Sequence, residues 1–168
     1  MRPVYSAGVH RLLTHARQAA GQYRHRFIHT EYLLLGLLKE RNTATRVLKS
    51  LGFERERLRR TCERRCRRGQ HEMEGEIKLT PRVQHIMALA AEQMQAMGDR
   101  ELSTVHVLLG MLLEEEGIAG QVLRQSGVTV EAVRATALQM ASGAENASLE
   151  TGDPQDRRKP FWKRLLGM

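Results

Sequence analysis

Aromatic residues are scarce: three Phe, three Tyr and one Trp make up 4% of the 168 residues. A core with so few rings must be built from Leu, Val, Ala and Met, which favours helices. Cysteine is scarcer still, with only Cys62 and Cys66, four positions apart in an Arg-rich segment. A bridge between adjacent turns of one helix would cross-link little of the fold, so a disulfide framework is excluded. No apolar run approaches the roughly 18 to 20 residues of a membrane span, and the N-terminal MRPVYSAGVHRLL lacks the continuous apolar stretch of a secretory signal. A cytoplasmic location with no membrane partner is expected. A G-x-x-x-x-G-K-[ST] loop is also missing, which excludes P-loop nucleotide hydrolysis.

What is present is globular. Hydrophobic residues make up 41% and charged residues 27%, and a chain of this length is one ordinary domain, or two small ones sharing a core. The net charge of +8 is lopsided: residues 1–69 hold 17 Lys/Arg against 5 Asp/Glu, a net +12, and residues 70–168 hold 10 against 14, a net −4. The run ERERLRRTCERRCRRGQ fits a solvated helix face, a dock for an acidic protein, or a phosphate-neutralising stripe centred on Arg59, Arg60, Arg64, Arg67 and Arg68. No helix-turn-helix or stacking motif accompanies it.

The chain repeats itself. The stripe Val9, Leu12, Leu13, Ala16, Ala20, Tyr23 returns 74 residues later as Val83, Ile86, Met87, Ala90, Met94, Met97, both at helical spacing. Ser6 in one copy and Thr80 before Pro81 in the other read as N-caps. HTEYLLLGLL at 29–38 then echoes in STVHVLLGML at 103–112, with Thr30 and Thr104 read as N-caps of short apolar helices. Gly36 and Gly110 inside them mark close packing. After a one-residue insertion the register becomes 75. Val47, Leu48 and Gly52 match Val122, Leu123 and Gly127, the glycines reading as helix C-caps. Cys62 and Cys66 match Ala137 and Ala141, which predicts two buried, metal-free cysteines. Together with His71 they offer a structural zinc too few ligands at too wide a spacing.

The expected architecture is therefore all-α: eight helices in two four-helix repeats, 4–67 and 79–141, joined by a linker at 68–78. Leu12, Leu13, Leu34, Leu37, Leu48, Ile86, Met87, Leu108 and Leu123 are expected to be buried. A polar tail is expected over 142–168, ending in KPFWKRLLGM, which fits a disordered end, a docking motif or a weak membrane-surface anchor. No catalytic constellation is found, and no cofactor is expected.

YSAGVHRLLTHA with HTEYLLLGLL, followed by LTPRVQHIMALA with STVHVLLGML, resembles the N-terminal repeat domain of the Clp/Hsp100 AAA+ unfoldases, closest to the ClpC type, over about residues 4–141. The resemblance implies a stand-alone, non-catalytic module that binds substrate or adaptor proteins, partners a Clp unfoldase and modulates proteolysis. It also implies phosphoarginine recognition at two repeat-related sites. The first maps to Glu31, with Thr30 and Ser6 on the phosphate side. The second maps to Val105 beside Thr104 and Thr80, and is degenerate because valine cannot pair with a guanidinium. Asp99 or Glu101 could supply a displaced carboxylate there. From the residues alone, Glu31 reads equally as a first-turn acid serving the helix dipole. The alternative to a protein-binding module is a basic nucleic-acid-associated protein reusing the repeat fold.

Overall fold

The computed structural model describes residues 2–70 and 75–150, the last seven as backbone only. Among these the chain forms eight helices: α1 (Ala7–Gln22), α2 (Thr30–Leu38), α3 (Thr43–Ser50), α4 (Arg55–Glu63), α5 (Pro81–Ala96), α6 (Thr104–Leu113), α7 (Ile118–Gln125) and α8 (Val130–Glu150). The described residues through Thr136 form one compact unit and those from Ala137 onward belong to a second, the boundary falling within α8. Helix α8 continues past the end expected near residue 141. Ala- and Glu-containing turns sustain it, and the next strong breakers are Gly152 and Pro154. The KPFWKRLLGM segment lies outside the described residues. No helix among those described is long and apolar enough to cross a membrane.

The helix ends follow local chemistry. The Ser6 hydroxyl accepts from Val9 N–H at 3.3 Å, and the Thr80 hydroxyl from Val83 N–H at 3.2 Å, with Pro81 opening α5. Gly52 and Gly127, at φ +89° and +96°, follow the ends of α3 and α7. The caps of α2 and α6 differ from expectation: they are His29 and Ser103, while Thr30 and Thr104 sit one position further in.

The close packing expected at Gly36 and Gly110 is present. A methyl group at either would lie 2.5 Å from a backbone carbonyl oxygen, that of Leu12 on α1 or of Ile86 on α5. Each repeat thus crosses its first two helices almost backbone to backbone, and α2 and α6 are buried nearly all round. Leu12, Leu34, Leu37, Leu48, Ile86, Met87, Leu108 and Leu123 are buried. Leu13 is only half-buried, because Val9, Leu12, Ala16 and Ala20 form the inward stripe of α1 and leave it on the flank.

Four two-residue strands go beyond the all-helical expectation. β1 (Val4–Tyr5) pairs in parallel with β4 (Glu101–Leu102), and β2 (Phe27–Ile28) with β3 (Lys78–Leu79). The linker expected at 68–78 therefore has fixed ends. Lys78 belongs to β3, and Gly69 N–H donates to the Tyr23 carbonyl at 2.7 Å. Each strand leads into a helix, and each pair joins the lead-in of one repeat's first helix to that of the other repeat's second. The start of α1 is thereby tied to that of α6, and the start of α5 to that of α2.

Candidate ligand-binding clefts between the repeats

The hydroxyls of Thr30 and Thr104 are engaged in helix capping. The two residues are 3% and 2% exposed, and each caps a helix of the opposite repeat. Thr30 Oγ1 accepts from Ala119 N–H in the first turn of α7 at 3.2 Å, and Thr104 Oγ1 from Ala44 N–H in the first turn of α3 at 3.0 Å. These buried bonds satisfy helix-start donors that the local sequence leaves over. They also gather three helix starts at each of two clefts.

One cleft, of about 510 Å³, lies among the starts of α2 (His29, Thr30, Glu31), α5 (Thr80, Pro81, Arg82) and α7 (Glu116, Gly117, Ile118). Glu31 is half-exposed. Its expected neighbour Ser6 is elsewhere, and Thr80 from the second repeat takes that place. Arg82 crosses this cleft, 3.5 Å from Glu114 and 3.1 Å from Glu116. Glu114 is itself buried and accepts from Gly117 N–H at 2.6 Å, so its carboxylate satisfies the N–H of the residue that opens α7, while Thr30 supplies the cap.

The other cleft, of about 1090 Å³, lies among the starts of α1 (Ser6, Ala7, Gly8), α3 (Arg41, Asn42, Thr43) and α6 (Ser103, Thr104), and extends along α3 and the start of α4. Adding 74 or 75 carries most of one lining onto the other: Ser6 onto Thr80, Gly8 onto Arg82, Arg41 onto Glu116. Val105 does not line it and is 3% exposed, so the second site expected at Val105, Thr104 and Thr80 is not one place. Thr80 lies across from Glu31, Thr104 borders the larger cleft, and Val105 is in the interior. Of the two substitute carboxylates, Glu101 lines this cleft. Asp99 instead accepts from His106 Nε2 at 2.8 Å, while His106 Nδ1 accepts from Ser103 N–H at 2.9 Å.

Cys62 is buried and its thiol donates to the Glu31 carbonyl at 3.4 Å. Its pKa is raised, first by its hydrogen bond with Cys66 and then by burial. Cys66 is half-buried rather than buried, because it follows the end of α4 and no longer lies on the helix's inner face. Among the described residues no cluster of His, Cys, Asp and Glu is placed to hold a metal ion, and His71 lies outside them. Of the arginine stripe, Arg59 pairs along its own helix with Glu56 and Glu63 at 3.3 and 3.8 Å, while Arg60, Arg64, Arg67 and Arg68 are exposed.

Arg82, Glu114 and Glu116 were not singled out from sequence. A column-by-column comparison of the copies, in which Gly8 faces Arg82 and Arg41 faces Glu116, carries that signal.

Paired four-helix repeats with reciprocal strand contacts and composite clefts define a double-repeat helical domain. The Clp repeat (R) N-terminal domain family matches residues 4–126 and 100–158, and the chain belongs to that family. It is similar to the negative regulator of genetic competence ClpC/MecB of Bacillus subtilis, 32% identical over 151 residues, which are 89% of this chain and 18% of that protein. A ClpA homologue of Porphyra purpurea is 35% identical over 79% of this chain and 16% of its own length. The chain thus spans less than a fifth of these relatives. Among solved structures, the Hsp104 N-terminal domain of Candida albicans superposes with a TM-score of 0.68 at 14% identity, covering 82% of this chain and 91% of that one. A ClpV N-domain in complex with a VipB peptide superposes with a TM-score of 0.60 at 16% identity, over 78% and 89%.

Proposed function

We propose that the chain is a non-catalytic protein-binding module that receives substrate or adaptor proteins for a Clp unfoldase in the cytoplasm, and so modulates Clp-dependent proteolysis. Its Glu31 cleft takes a phosphoarginine side chain. One observation carries this: Glu31, Thr80 and Arg82 line a single concavity where three helix starts meet. The Glu31 carboxylate suits a guanidinium, and Thr80, Arg82 and the helix starts suit phosphoryl oxygens. Family membership and the peptide held by the ClpV N-domain support the wider role. The nucleic-acid alternative rests on exposed arginines alone.

Calorimetric titration with free phosphoarginine tests it. The unaltered protein should bind. Glu31→Ala should lose most binding at a stability cost of only about 0.3 to 1 kcal/mol. Thr80→Ala should weaken binding and Ser6→Ala leave it unchanged. No binding by the unaltered protein, or binding indifferent to Glu31→Ala, removes phosphoarginine and leaves a docking module for other ligands.

A further inference from the structure

The two clefts descend from one pattern but have diverged in charge. At the Glu31 cleft, Glu31 and Glu116 face the one guanidinium of Arg82. At the larger cleft Arg41 replaces Glu116, Gly8 replaces Arg82 and contributes no side chain, and the exposed face of α3 adds Arg46 and Lys49. Arg41, Arg46 and Lys49 are exposed and make no ion pair among the described residues. Facing them, Glu56 is paired with Arg59, which leaves Glu54 and Glu101 as the acids not already paired. The acid equivalent to Glu31 is absent, its place being taken by the buried Val105, so the cations of the lining outnumber the acids left in it.

We propose that this larger cleft binds an acidic segment of a partner protein, with aspartate or glutamate carboxylates on Arg41, Arg46 and Lys49. The inference rests on reading the clefts as binding sites and not on phosphoarginine. Charge complementarity selects the ligand class. Concavity favours peptide over nucleic acid: the cations surround a hollow of about 1090 Å³ instead of tracking a ridge, and Phe53 is the only aromatic ring in its lining.

Fluorescence anisotropy with a labelled octaglutamate peptide decides it, with octaglutamine and an oligothymidylate of equal charge as comparisons. Octaglutamate should bind and octaglutamine should not, and the oligothymidylate should bind more weakly than octaglutamate. The double variant Arg46→Glu, Lys49→Glu should lose about ten-fold or more in affinity. Both positions are exposed, so folding should survive, which far-UV circular dichroism checks. Glu31→Gln should leave octaglutamate binding unchanged, which separates this site from the phosphoarginine site. Equal binding of octaglutamine, full affinity in the double variant, or tighter binding of the oligothymidylate would overturn the proposal.

Discussion

Glu31 and Val105 hold equivalent positions, and the difference between them lies in burial as well as charge. Glu31 stands half-exposed at a cleft, whereas Val105 is 3% exposed and belongs to the core. The loss of the acid was legible in the sequence; the closure of the position over it was not, because burial depends on neighbours from other elements. His106 shows the same limit. Nothing in STVHVLLGML marks it as buried, yet it is 1% exposed and its ring is fixed by Ser103 N–H on one side and Asp99 on the other. Burial, opposed only in part by Asp99, holds its pKa below the usual 6.5. The folded state therefore takes up a proton less readily than the unfolded chain, so this contribution is complete above the usual imidazole value and is lost as the pH falls below it through the folded value. Thermal unfolding should show stability declining from about pH 7 towards pH 5. His106→Gln should flatten that dependence, and an unchanged slope in the variant would contradict this role.

At the scale of elements, the period-74 pattern gave all eight helices, their order and most of the inward stripe, because amphipathic spacing is written locally. Caps were found where a hydroxyl serves its own helix, as at Ser6 and Thr80. A hydroxyl that serves a helix elsewhere gives no such local sign: Thr30 and Thr104 reach Ala119 and Ala44, 89 and 60 residues away. A bond across that distance leaves no spacing signature. Thr30→Val and Thr104→Val keep side-chain volume but leave a buried N–H without its acceptor, and each should cost about 1 to 3 kcal/mol in chemical denaturation. Variants as stable as the unaltered protein would mean that the threonines do not hold α7 and α3 in place.

At the scale of the molecule, duplication gave two copies of one helical unit, and reciprocal pairing of β1 with β4 and β2 with β3 interleaved them. The clefts therefore belong to neither repeat alone. That is why the site residues read from sequence group differently in the structure, Glu31 with Thr80 and Ser6 with Thr104. The most direct measurement of this claim is a backbone amide NMR titration with phosphoarginine. Shifts should concentrate at Glu31, Arg82 and Ile118, drawn from both repeats, and leave Gly8, Thr43 and Thr104 unmoved. Shifts confined to one repeat, or centred on the Gly8 cleft, would contradict it.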